Sequence, residues 1–89
     1  MRLNPTPQFK KDVSRLTQRI QQQLKKKLEL LLRDARHPSL RTRKIKGEVL
    51  GFRNVFEGSI TKNYRFLFRR EGDAYILLRC GTHTEIFGR

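Results

Sequence analysis

The sequence predicts an α+β domain in which an N-terminal helical hairpin packs on a small antiparallel β-sheet. Three observations predict it. Apolar residues from Phe9 to Ala35 recur at helical spacing, whereas those after Val55 gather in aromatic and β-branched runs. The breaks between those runs, TKN and EGD, are short enough to imply a meander of neighbouring strands. A chain of 89 residues supports a single domain, 1–89, with one modest core.

Thr6-Pro7 reads as a helix start, with Thr as the N-cap and Pro at the first helical position, where its missing N–H costs nothing. Phe9, Val13, Leu16 and Ile20 then form one apolar stripe, continued by Leu24, Leu28, Leu31 and Ala35. A single helix over residues 7–35 would run about 43 Å at 1.5 Å per residue. A globule of this size is only about 31 Å across. A bend near Thr17-Gln18 is therefore expected, although no Gly or Pro marks it. The second helix should end before His37-Pro38, because a residue preceding proline is pushed out of the helical region. Gln21 to Gln23 and Lys25 to Lys27 surround the stripe as a solvated face. His37 reads as structural. HPSLRTRKIKG is a basic connector, with Lys44-Ile45-Lys46-Gly47 as a short strand ending in a turn.

VFEGSI, YRFLFR and AYILLRCG have strand composition. A two-residue turn at Glu71-Gly72 would mix Arg79 into the apolar set. A three-residue turn, Glu71-Gly72-Asp73, segregates the faces. One face then carries Tyr64, Phe66, Phe68, Ile76, Leu78 and Cys80, with Phe66, Phe68, Ile76 and Leu78 beneath the helices. The other carries Arg65, Leu67, Arg69, Tyr75, Leu77 and Arg79, followed in phase by Gly81 and His83. Arg65 and Arg79 become cross-strand neighbours, an arrangement that is unfavourable for like charges unless an anion lies between them.

Lys and Arg number 21 against 8 Asp and Glu, a formal charge of +13. That excess favours a polyanionic partner, most simply nucleic acid, and an acidic protein would relieve the same self-repulsion. Cys80 is the only cysteine, which excludes an intramolecular disulfide and a multi-cysteine metal site. No apolar run reaches membrane-spanning length and MRLNPTPQF lacks a secretory signal's apolar segment, so a cytoplasmic, soluble chain without membrane contact is expected.

NVFEGSITKNYRFLFR followed by ILLRCGTHTEIF resembles the RelE/ParE superfamily of bacterial toxin–antitoxin toxins. The order of helices, connector and sheet, with Ile45-Lys46-Gly47 at an LKG-like motif, is similar over nearly the whole chain. Tyr64-Arg65 and the terminal Gly-Thr-His are its most specific parts, and GTHTEIFG is similar to the ending of YafQ-type toxins. The resemblance implies a toxin that enters the ribosomal A site, cleaves mRNA there as an endoribonuclease needing no metal or other cofactor, and is held inactive by a cognate acidic antitoxin. It also implies roles. Arg65 corresponds to a phosphate-stabilising arginine, Arg79 and His83 to the arginine and histidine of the YafQ-type ending, and Phe87 to its terminal aromatic, which stacks on RNA. Lys44, Lys46 and Arg69 are expected to hold RNA beside Phe87. The chain departs from the family where RelE-type toxins carry strand lysines, having Phe56 and Gly58 there, and it lacks the extra histidines and the aspartate of YafQ-type sites.

Such cleavage needs the ribose 2′-OH deprotonated, charge on phosphorus neutralised and the 5′-oxygen protonated. Arginine suits the second step. Histidine, whose ordinary pKa lies near 6.5, suits proton transfer. Glu57 and Tyr75 are both candidates for a second proton-transfer group, and nothing in the sequence selects between them. A ParE-type inhibitor of DNA gyrase would share the fold without acid–base residues, and a non-catalytic basic binding domain would use the charge alone.

Overall fold

Two threonines organise the N-terminal half of the computed structural model, which describes residues 1–88. The Thr6 hydroxyl accepts from the Phe9 N–H at 3.1 Å and opens α1 (Pro7–Ser14). Thr17 accepts from the Ile20 N–H at 3.3 Å and opens α2 (Gln18–Arg33). The expected bend is at this second cap. Gln21 Nε2 braces the corner by donating to the Val13 carbonyl at 2.8 Å, so the chain turns without Gly or Pro. The molecule measures 31 × 29 × 24 Å, too small for one straight helix through both segments. After α2 comes a single 3₁₀ turn, Pro38–Leu40, capped by His37, whose Nδ1 accepts from the Ser39 N–H at 3.1 Å.

The strands are β1 (Arg2–Pro5), β2 (Arg43–Lys44), β3 (Phe56–Ser59), β4 (Tyr64–Glu71) and β5 (Ala74–Thr82), in the spatial order β1-β5-β4-β3-β2. From β5 to β2 every pairing is antiparallel: β3, β4 and β5 form the predicted meander, and the connector strand, expected over Lys44–Gly47, is only Arg43–Lys44 and adds to its edge beside β3. The edge strand β1 was not legible: RLNP has poor strand composition, yet it pairs parallel to β5 from Arg2↔Ala74 to Pro5↔Leu77. Proline is acceptable there because an edge strand leaves half its backbone groups unpaired anyway.

The register of the last hairpin corrects the sequence reading. Glu71 faces Ala74, so the turn has two residues, Gly72-Asp73, with Gly72 at φ 59°. Further along, Phe68 faces Leu77 but Leu67 faces Arg79, which makes Leu78 the extra residue of a β-bulge. The shorter turn exchanges the faces of β5 as far as Leu77, and the bulge restores them beyond Leu78. Tyr75 and Leu77, rather than Ile76 and Leu78, join Phe66 and Phe68 beneath Phe9, Leu24 and Leu31. Leu78 packs with Val55, Leu67 and Ile86 in a second cluster, against which Ile76 rests. Ile86 belongs to a short terminal helix, α3 (His83–Phe87). Gly58, opposite Phe66, lets that ring lie over the strand, since a Cβ there would sit 2.4 Å from the ring.

Candidate active site

Arg65 and Arg79, expected to face one another, are displaced by two residues: Arg65 faces Gly81 and Arg79 faces Leu67. Their side chains serve different carboxylates. The Arg79 guanidinium grips Asp12 of α1, Nε to Oδ2 at 2.6 Å and Nη2 to Oδ1 at 3.3 Å. Asp12 also accepts from the Cys80 N–H at 3.1 Å and from Gln8 at 3.0 Å. Burial alone would push the Asp12 carboxyl up, but the hydrogen bonds from Arg79, Cys80 and Gln8 together hold it below the ordinary carboxylate value. Burial, with the Asp12 charge beside it, pushes the Cys80 thiol up to about 12. This is a clamp between α1 and β5, with both carboxylate oxygens occupied.

The second carboxylate is Glu57, the group the sequence left tied with Tyr75. Tyr75 is buried edge-on against Phe68 at 5.5 Å between ring centres, inside the helix-side core. Glu57 points the other way, into an open cavity of about 410 Å³ lined also by Arg43, Lys62, Asn63, Arg65 and His83. β3 places Glu57 opposite Arg43 of β2, which donates to Oε1 at 3.0 Å. Arg65 Nε lies 3.9 Å from the same oxygen. Oε2 is buried and, among the described residues, has no hydrogen-bond partner. A buried carboxylate oxygen left unpaired is costly, and such groups concentrate at functional sites.

Arg65 is held by the β3–β4 connection. Its Nη1 donates to the Thr61 and Tyr64 carbonyls and to Ser59 Oγ. Among the described residues Nη2 takes no partner, so one end of the guanidinium is anchored and the other remains available to an anion.

His83 does not extend the strand, as its in-phase position suggested; it is the first residue of α3. The switch is encoded locally. Gly81 adopts φ 149°, and a Cβ there would meet Glu85 Oε1 at 3.0 Å. Thr82 then caps α3: its hydroxyl accepts from the Glu85 N–H at 3.2 Å while its own N–H donates to Glu85 Oε1 at 2.8 Å. That reciprocal box fixes where His83 projects. It also puts Phe87 one turn on, its ring centre 4.7 Å from the imidazole. His83 is exposed.

The remaining candidates lie apart from this cavity. Lys44 and Lys46 line a separate opening of about 310 Å³ with Arg53. Arg69 is engaged elsewhere, bonded to Glu71 at 2.6 Å and lying over the Phe52 ring at 5.0 Å. Arg43 and Lys62 were missed as site residues; Arg43 follows from pairing β2 with β3, which single-sequence periodicity does not supply.

No family model matches the chain, and no curated protein matches it in sequence. Solved structures do match in fold. YafQ from E. coli strain BL21(DE3) superposes with a TM-score of 0.80 at 17% identity, over 97% of each chain. A YoeB/ParE toxin from Agrobacterium tumefaciens gives 0.77 at 19% identity, over 93% of this chain and 99% of that one. The RelB–RelE antitoxin–toxin complex from Methanococcus jannaschii gives 0.76 at 22% identity, over 96% and 95%. At these identities the likeness establishes the fold: two helices on a five-stranded sheet, as in these toxins.

Proposed function

We propose that this chain is the toxin of a type II toxin–antitoxin pair and cleaves mRNA at the ribosome, in the cytoplasm, with Glu57, Arg65 and His83 around the scissile phosphodiester. The observation that carries the reading is their convergence on one open cavity, a carboxylate, a guanidinium and an imidazole. These are the residue types that in-line attack by a 2′-hydroxyl requires. Glu57 takes the 2′-OH proton once the substrate displaces Arg43, whose side chain is 61% exposed and free to swing out. The 2′-oxygen bonds to phosphorus, and Arg65 Nη2 balances the charge that gathers on the non-bridging oxygens. His83 protonates the departing 5′-oxygen as the P–O5′ bond breaks. The products are a 2′,3′-cyclic phosphate and a free 5′-OH. Phe87, beside His83, stacks on a base next to the cut. Arg79 acts as a positioning residue through Asp12 and the β5 backbone, upstream of the Gly81–Thr82 turn that aims His83.

The partner is an acidic antitoxin. The formal charge of +13 supports it, as does the fact that fold neighbours were solved as RelB–RelE and DinJ–YafQ complexes.

The test is purified protein on ribosomes programmed with a defined mRNA. Cuts should appear with 2′,3′-cyclic phosphate ends and vanish when the ribose 5′ to the cut is replaced by deoxyribose. Cutting that survives that replacement would remove the 2′-hydroxyl mechanism. Toxicity through arrested replication without mRNA cleavage would favour gyrase inhibition.

A further inference from the structure

A second cavity, of about 520 Å³, opens beside the first and shares Lys62 and Arg65 with it. Its other cations are Lys27 of α2 and Arg41, just after the 3₁₀ turn, and no carboxylate among the described residues lines it. Ser59 and Thr61 complete the wall that carries Arg65. Two details show that the cations are placed. Lys27 Nζ is tied to the Ser39 carbonyl at 2.8 Å, which fixes the α2 side of the cleft to the 3₁₀ turn. Arg41 sits in the left-handed region, φ 48° and ψ 43°, a conformation that glycine or asparagine adopts more readily. Four cations around one concavity repel each other unless an anion enters.

We propose that this cleft holds the sugar–phosphate backbone of the strand being cut, one or more nucleotides away from the scissile phosphate. The inference rests on the nuclease reading above and extends it from the reacting phosphodiester to the path of the strand. Lys62 and Arg65, standing in both cavities, form the passage between them. A strand lying on Arg65 then continues onto Lys27 and Arg41 by phosphate contacts that carry no base information. Sequence preference is accordingly set around the Glu57–Arg65–His83 cavity, where Phe87 stands beside His83, and not in the cleft.

The experiment uses fully 2′-O-methylated single strands, which cannot be cut, of about three and about eight nucleotides. Binding is followed by fluorescence anisotropy across a salt series for the wild type, Arg41→Gly and Lys27→Gln. The longer strand should bind the wild type severalfold more tightly than the shorter. Each substitution should erase part of that gain and lower the salt slope for the longer strand by about 0.7 per cation removed. Arg41→Gly should melt no lower than the wild type, because glycine relieves the left-handed backbone. Unaltered affinity and slope in both variants would overturn the proposal. So would weakened binding to vacant ribosomes with oligonucleotide binding intact, which would assign the cleft to ribosomal RNA. Failure of the nuclease reading looks different: the wild type would cut nothing, yet length-dependent binding would remain sensitive to Arg41 and Lys27.

Discussion

Asp12–Arg79 and Glu57–Arg65 are two carboxylate–arginine pairs, one joining α1 to β5 and the other lying between β3 and β4, and they differ in how far they are satisfied. In the first, both Asp12 oxygens are taken by Arg79, Gln8 and the Cys80 N–H. In the second, Oε1 of Glu57 is shared by Arg43 and Arg65 while Oε2 has no partner among the described residues. A saturated pair stabilises the fold and offers nothing to a substrate. A pair that leaves one buried carboxylate oxygen unsatisfied costs the fold stability, and the free end of its arginine remains open to an anion from the cavity. Equal residue types therefore do different jobs, and hydrogen-bond saturation separates the jobs better than residue identity does.

Substitutions should split along that line. The largest effect expected is on cleavage. His83→Gln should lower the rate by about 10²-fold or more with melting nearly unchanged, and Arg65→Ala should lower it by about 10²–10³-fold. Ribosome-dependent cleavage with a thermal melt of each protein reads both. Asp12→Ala should instead cost about 2–3 kcal/mol of stability, less than a fully buried pair because the Arg79 side chain is 22% exposed. Chemical denaturation measures it, and an unshifted midpoint would dismiss the clamp. Phe87→Ala should weaken RNA placement by about 1–3 kcal/mol with the chemical step retained at saturating substrate.

The clamp also sets pH behaviour. The folded Asp12 carboxyl titrates below its ordinary value, so its contribution is present above about pH 4 and is lost as pH falls through the lower folded value. Asp12→Asn should lack that acid-side loss in a melting series. Cys80 behaves in the opposite direction. With the folded thiol at about 12, stability is intact below the ordinary thiol value and drains away as pH climbs toward the folded one. At pH near 8, alkylation of Cys80 should track global unfolding.

How far the sequence revealed all this depends on range. The Thr6 cap, the bend near Thr17 and the β3–β5 meander are local patterns and were legible. The last hairpin was not, because the shorter turn and the Leu78 bulge are two errors of one residue that add. Parity is restored beyond the bulge, which is why Arg65, Leu67, Arg79 and Gly81 remain in phase while the expected Arg65–Arg79 contact fails. Near the turn, Tyr75 and Ile76 are both apolar enough for either face, so segregation alone could not locate the bulge. His83 and Arg65 converge as read, but Glu57 became distinguishable from Tyr75 only once β2 and β3 were placed. The Asp12 clamp spans 67 residues of sequence, and no short-range pattern signals it.

The most direct measurement is ribosome-dependent mRNA cleavage by Glu57→Gln, with thermal melting of the same protein. Glutamine keeps the size and one acceptor oxygen but cannot take the 2′-hydroxyl proton. Cleavage should fall by about 10²-fold or more, well beyond any loss that a modest drop in melting temperature from the weakened Arg43 and Arg65 pairing can explain in a protein that remains folded. Full cleavage by Glu57→Gln would show that the carboxylate is structural and contradict the assignment of this cavity as the reaction centre.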